Sequence, residues 1–232
     1  MFDIDEITEN IRAVRECIRA ACESVLRDPS EVTLVLASKT VPKAVLERVY
    51  ARFPDIIFGE NRVQEFTEKY DARFRWHIIG QLQSNKVKYI AGKTELIHSL
   101  DRLSLAEEIN RQALKNGAAE NCLIEINLTE DPSRGGVKPV DAGELCERLK
   151  AFEGIKVSGL MAVMPNVSEE DTERHYERLS VLFAALKSKN PEIRVLSVGM
   201  SGDFEAAVKH GSTMVRVGSA VFGVRPPFNP PH

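Results

Sequence analysis

Lys39 closes the apolar run Val32-Thr33-Leu34-Val35-Leu36-Ala37, and Thr40-Val41-Pro42 follow at once. The run reads as a buried strand, and Pro42 as the opening of a helix. A long amine where a buried strand empties into a loop suits covalent chemistry, because desolvation disfavours the charged ammonium and frees the amine to attack a carbonyl. The alternative is a lysine reaching out to solvent from a strand end. Arg216 stands between Val215 and Val217, so the period of two turns it to the face opposite both valines. A buried guanidinium keeps its proton and needs an acceptor. That acceptor is either an internal carboxylate such as Glu60 or Asp101, or an aromatic nitrogen or anionic group of a ligand. Two turns of small residues, Ser197-Val198-Gly199-Met200-Ser201-Gly202 and Val217-Gly218-Ser219-Ala220, offer backbone N–H groups to an anion, with Ser201 placed as a helix N-cap.

These groups need elements to position them. Ile4, Ile7, Ile11, Val14, Ile18 and Val25 recur at helical spacing and stop at Arg27-Asp28-Pro29-Ser30, which predicts an amphipathic helix over 1–27. Strands are expected over 32–38, 56–59, 75–79, 95–99, 122–127, 156–161, 194–198 and 213–217. Helical spacing fills 42–52, 61–72, 83–91, 102–116, 139–151, 169–188 and 202–210, and Gly117, Gly154 and Gly211 fall where left-handed caps end helices. Eight strands alternating with helices, without a hairpin signal, point to one parallel sheet. Eight units favour a single closed (β/α)8 TIM barrel preceded by the extra N-terminal helix, although an open doubly wound sheet has the same pattern. No Pro/Gly/Ser-rich linker divides the chain, so residues 1–232 are expected to form one barrel domain, with 225–232 a short proline-rich tail.

In such barrels reactive groups gather at the C-terminal strand ends, and phosphate sits in the loops after strands seven and eight. The two small-residue turns are therefore expected to face one another across the mouth and hold a phosphate. A lysine nucleophile, a phosphate cup and an arginine in one mouth describe a pyridoxal 5′-phosphate site. Lys39 holds the cofactor as a covalent Schiff base, Ser201, Gly218 and Ser219 hold the phosphate, and Arg216 faces the ring nitrogen. An arginine there cannot accept a proton, which leaves the ring neutral and a weaker electron sink.

Other residues have plainer readings. His77 and His98 fall in the third and fourth strands and are expected inside the barrel as satisfied core histidines, with a catalytic base as the alternative, while His175 and His210 sit on helices and suggest no metal cluster. Trp76 is expected to pack outside the barrel. Tyr50, Tyr70, Tyr89 and Tyr176 fall in helical segments, with surface or packing roles. The segment 130–138 reads as a mobile rim loop after strand five, either a plain connection or one that gates the cofactor or binds a partner.

Composition excludes several classes. The 232 residues are 43% hydrophobic and 28% charged, which supports a substantial core, and a net charge of −3 gives no electrostatic case for nucleic acid or an anionic membrane. No apolar stretch approaches the roughly 20 residues of a membrane span, and the acidic N-terminus is unlike a signal peptide, so a cytoplasmic location is expected. Cys17, Cys22, Cys122 and Cys146 lack paired metal spacing and read as free thiols.

The chain resembles the pyridoxal phosphate homeostasis proteins, single-barrel relatives of the alanine racemase N-terminal domain. The resemblance runs through Ala37-Ser38-Lys39-Thr40, Phe58-Gly59-Glu60-Asn61-Arg62-Val63-Gln64-Glu65, Trp76-His77-Ile78-Ile79-Gly80-Gln81-Leu82-Gln83-Ser84-Asn85-Lys86, Gly159-Leu160-Met161 and 197–223. It implies a covalent cofactor on Lys39, phosphate contacts from Ser201, Gly218 and Ser219, Arg216 at the ring nitrogen, and Asn61 as a pocket residue. It also implies buffering or delivery of the cofactor to apo-enzymes in place of robust catalysis. A two-base racemase of this type takes a tyrosine from an added C-terminal domain, and only nine residues follow Gly223 here. A weak amino-acid racemase and a Schiff-base aldolase remain as alternatives, and a monomer is expected.

Overall fold

The computed structural model describes residues 2–129, 131 and 134–223. Helix α1 spans Ile4–Ser24, and Asp3 caps it by accepting from the backbone N–H groups of Asp5 and Glu6. Ile4, Ile7, Ile11, Val14, Ile18 and Ala21 form its buried stripe. It ends three residues before the expected boundary, because the chain turns through Leu26 at φ 58° and sends Arg27 to the carbonyls of Val208 (2.6 Å) and Ser212 (3.0 Å).

The strands are β1 (Thr33–Ala37), β2 (Ile57–Glu60), β3 (Arg75–Ile78), β4 (Leu96–Leu100), β5 (Glu120–Ile126), β6 (Ile155–Ala162), β7 (Val195–Ser197) and β8 (Met214–Val217). Each pairs in parallel with the next, and β8 pairs with β1 to close the barrel, with Val35 opposite Arg216. All eight expected strands are present, and closure removes the open-sheet alternative. Period-two alternation divides the apolar residues. Val35, Ile57, Ile79, Leu96, Leu123, Met161 and Met214 fill the interior. Leu34, Leu36, Phe58, Trp76, Ile97, Leu160 and Val215 join the outer core.

That outer core packs against α2 (Lys43–Arg52), α3 (Val63–Lys69), α4 (Leu103–Lys115), α5 (Ala142–Leu149), α6 (Glu169–Lys189), α7 (Phe204–Lys209) and α8 (Ser219–Phe222). Trp76 lies there as expected, with Phe58, Phe66 and Phe74 around it and its indole N–H donating to the Asp71 carbonyl at 3.1 Å. Two expectations need correction. The segment 83–91 forms a 3-10 turn over Ser84–Tyr89 in place of an α-helix. Its buried anchors Val87 and Ile90 are three residues apart, the 3-10 repeat. Gly117 and Gly211 adopt positive φ, but Gly154 does not. Gly154 is needed for close approach: a Cβ there would stand 2.9 Å from the Asn110 carbonyl, and its N–H donates to Asn110 Oδ1 at 2.7 Å. The tail 225–232 lies outside the described residues.

Candidate cofactor site at the barrel mouth

Lys39 sits in the turn that leaves β1 at the C-terminal end of the barrel, and it is exposed. The burial expected to activate its amine is absent, because the strand ends at Ala37 and the turn carries the side chain to the rim. What is buried is the support beneath it. Lys69 donates to the Ser38 carbonyl (3.0 Å), Glu60 Oε1 (2.9 Å) and Glu65 Oε2 (3.1 Å). The Ser38 hydroxyl donates to Glu60 Oε1 (2.7 Å), and the Thr40 N–H donates to Glu65 Oε2 (2.6 Å). Residues on both sides of Lys39 are thus clamped by one buried lysine and two carboxylates, and Thr40 is held at φ 61°, a conformation that non-glycine residues avoid. Burial pushes the Glu60 carboxyl up, while Lys69 pulls it back. The sequence marks these residues only in retrospect: Glu65 and Lys69 are four apart on α3 and face the barrel together.

Arg216 points into the barrel, as its period predicts, and is 4% exposed. It makes no salt bridge to Glu60 or Asp101 among the described residues. Glu60 lies on the other face of β2, and Asp101 pairs with Arg102 at 2.5 Å. Arg216 instead donates from Nη1 to the Ser197 carbonyl (2.7 Å) and hydroxyl (2.6 Å), and from Nη2 to the Ala162 carbonyl (2.9 Å). Three of its five N–H bonds are committed, which leaves two for a ligand. Burial brings its pKa down to about 10, with Asp203 and Glu125 opposing that fall.

The small-residue turns differ from expectation in two ways. They are adjacent and not across the mouth, because β7 and β8 are neighbours, and Lys39 is beside them because β1 pairs with β8. Ser201 does not cap α7, which starts after Asp203. Its hydroxyl oxygen instead accepts from the backbone N–H groups of Gly218 (3.1 Å) and Ala220 (3.2 Å) at the start of α8. An oxygen acceptor therefore already occupies this nest of N–H groups, next to exposed Ser219. These donors fit a phosphate.

Asn61 follows β2 at the same end, half-buried, with its backbone against Gly80 so closely that a Cβ on Gly80 would fall 2.3 Å from the Asn61 carbonyl. Glu125, on β5, escaped notice in the apolar run 122–126, although it shares a face with interior Leu123. Its Oε2 is buried without a hydrogen-bond partner, and burial, with Asp101 nearby, raises its pKa to about 7. It lines a cavity of about 300 Å³ with Gln81, Asn127 and Gly135. Part of the expected mobile rim loop is fixed here: Val137 exchanges backbone bonds of 2.8 Å with Glu125 and Asn127, whereas Glu130, Pro132 and Ser133 lie outside the described residues. Tyr176 is buried on α6, and its hydroxyl donates to Asp203 Oδ2 at 2.7 Å. Burial and Asp203 push that phenol far up, which keeps it protonated at neutral pH. No cluster of metal-binding side chains occurs among the described residues, and no described helix is long and apolar enough to cross a membrane.

A closed parallel barrel with a lysine after β1 and a serine hydroxyl held by backbone N–H groups after β8 defines a class, and the comparisons with known proteins agree on it. Residues 2–226 match the family described as "Alanine racemase, N-terminal domain". Alanine racemase from Clostridium difficile 630, 15% identical with a TM-score of 0.75, shares the fold over 97% of this chain and 58% of its own. A curated relative from Aquifex aeolicus (strain VF5), named "Pyridoxal phosphate homeostasis protein", is 43% identical over 94% of this chain and 97% of its own length. One of the same name from Escherichia coli (strain K12) is 38% identical over 96% and 98%. PipY of Synechococcus elongatus PCC7942, solved with PLP bound, is 31% identical with a TM-score of 0.81, covering 94% of this chain and all of PipY. The chain belongs to the pyridoxal phosphate homeostasis protein family.

Proposed function

We propose that this chain binds pyridoxal 5′-phosphate at the C-terminal mouth of its barrel and acts in the cell's handling of that cofactor, holding it and passing it to apo-enzymes. The observation that carries this reading is the Ser201 hydroxyl lodged in the α8 nest, two residues along the chain from an arginine with two uncommitted N–H bonds. Lys39 supplies the amine for a Schiff base. Ser201, Gly218 and Ser219 take the phosphate, Arg216 takes the ring nitrogen, and Asn61 lines the pocket. When bound, the cofactor supplies an electron sink. Arg216 keeps its own proton and cannot take one from the ring, so that sink is held weak. The clamp of Lys69, Glu60 and Glu65 fixes the approach of Lys39 through Ser38 and Thr40. The names of the relatives and the PLP-bound neighbour support cofactor handling. A cytoplasmic monomer without robust turnover is the form of it proposed here.

Borohydride reduction of cofactor-loaded protein followed by peptide mass mapping is expected to place the adduct on Lys39, and Lys39→Ala to abolish it. An adduct mapped elsewhere overturns the assignment. The racemase alternative has one observation in its favour, Glu125 with a pKa near neutrality at the mouth. Chiral analysis of amino acids incubated with loaded protein separates the two readings: sustained turnover lost in Glu125→Gln would establish the enzyme.

A further inference from the structure

A continuous line of hydrogen bonds runs down the barrel axis from Arg216. Arg216 Nη1 is 2.6 Å from Ser197 Oγ. Ser197 Oγ is 3.1 Å from His98 Nδ1, and His98 Nε2 is 3.0 Å from His77 Nδ1. His77 Nε2 then faces Glu95 Oε2 at 3.9 Å. Glu95 lines an open cavity of about 610 Å³ at the N-terminal end of the barrel, with Arg75, Asn121 and Arg194. The line thus spans the interior from the partner of the cofactor ring to the opposite end of the barrel. Three of its members, His77, His98 and Ser197, are almost wholly buried and have no other task in the site described above.

The chemistry of the groups gives this line one direction. Burial holds His77 down to about 3 and His98 well below its ordinary value, so both rings are neutral and each has one N–H. Arg216 can only donate, so Ser197 Oγ accepts from it. If the serine hydroxyl donates onward to His98 Nδ1, the proton of His98 lies on Nε2 and is donated to His77 Nδ1. The proton of His77 then lies on its own Nε2 and points towards the Glu95 carboxylate. Every proton from Arg216 to His98 then has an acceptor, and that of His77 faces Glu95 at 3.9 Å, an electrostatic contact longer than a hydrogen bond. In the reverse order Ser197 would accept from both sides, its own proton would be left buried without a partner, and a ring lone pair would face Glu95. An orphaned buried donor keeps the full cost of its desolvation, so the first order is the stable one.

We propose that Ser197, His98 and His77 are positioning residues for Arg216, a one-way hydrogen-bond relay that holds the guanidinium against the cofactor ring from behind. Ser197 touches Arg216 directly, His98 fixes the direction of the serine hydroxyl, and His77 fixes the tautomer of His98. The proposal rests on the cofactor reading above for what Arg216 faces, but the state of the relay itself does not.

Nitrogen-15 NMR of the histidine rings in cofactor-free protein tests the relay independently of any ligand. Both rings are expected as the Nε2–H tautomer at neutral pH, and either ring found as Nδ1–H, or protonated, overturns the proposal. Titration of Ser197→Ala with pyridoxal phosphate tests the consequence. Its affinity is expected to fall by roughly tenfold, the worth of one hydrogen bond to a charged group. The absorbance of the lysine-linked cofactor is expected to shift, with the adduct still mapping to Lys39. Unchanged affinity and absorbance in Ser197→Ala would refute the positioning role. Failure of the unmodified protein to bind the cofactor at all would instead refute the proposed function, and the tautomers would then decide the relay alone.

Discussion

Glu125→Gln is expected to stabilise the cofactor-free protein in neutral and alkaline solution while leaving it unchanged in acid. The carboxyl is buried at the inner face of β5 with one oxygen unbonded, and its pKa rises from an ordinary 4.5 to about 7 because burial disfavours the charged form and Asp101 adds like charge. A raised carboxyl pKa means that the folded protein binds the proton more tightly than the unfolded chain. Stability from this group is therefore complete below about pH 4.5 and is lost as pH rises towards 7. At about 1.4 kcal/mol per pH unit the loss amounts to about 3 kcal/mol, and it then levels off. Glutamine has nearly the same shape and no proton to lose, so the variant avoids this cost.

Urea denaturation at pH 5 and pH 8 is the assay. With a slope of about 1–3 kcal/mol per molar urea, the midpoint of Glu125→Gln is expected to exceed that of the unmodified protein by on the order of 1 M at pH 8, with a much smaller gap at pH 5. Glu60 and Glu120 are also raised by burial, but both proteins keep them and they cancel in the difference. Midpoints that run parallel across this range would show that Glu125 is solvated in the cofactor-free protein, and its assignment as a neutral-pH group at the mouth would fail.

Lys69→Met is expected to cost about 3–5 kcal/mol in thermal or chemical denaturation, because it leaves Glu60 and Glu65 facing one another without a counter-charge. Gly80→Ala forces a Cβ to within 2.3 Å of the Asn61 carbonyl, so a loss of about 1–3 kcal/mol is expected in the melting transition, together with weaker pyridoxal phosphate binding as Asn61 is displaced.

The strands were legible because each is a short apolar run bounded by turn residues, and the outward or inward direction of Arg216, Trp76, His77 and His98 followed from a period of two. Closure was not written in any segment: it depends on Val35 meeting Arg216, a pairing across most of the chain. The same long-range fact makes the turns after β7 and β8 neighbours of the turn that carries Lys39, an adjacency no motif encodes. Ser201 misled for a local reason. Serine before glycine and an acidic residue looks like a cap for the helix that follows, but α7 begins two residues later and the hydroxyl turns to α8. Glu125 has a signal, one carboxylate on the inward face of an apolar strand, but the run around it reads as core. The contact between His77 and His98 needed the register of β3 on β4, which no spacing in the sequence encodes.

The distribution of burial around Lys39 bears on whether the cofactor is held or used. The turn is fixed by a fully buried charge cluster and a strained Thr40, so the backbone of Lys39 is placed firmly, yet its side chain is open to solvent. Covalent catalysis gains most when water is excluded and an acid or base stands beside the reacting atoms. A lysine at a solvent-facing rim gives up the first advantage, and under the proposed function water and a competing amine reach a Schiff base there, so that exchange through either releases the cofactor intact. Arg216 and the Lys69 clamp serve to place groups, and Glu125 is the buried group of this mouth poised to exchange a proton near neutrality. The Tyr176 phenol is tied to Asp203. Firm placement of an accessible lysine favours capture and release over turnover, the balance that a carrier of a reactive aldehyde needs.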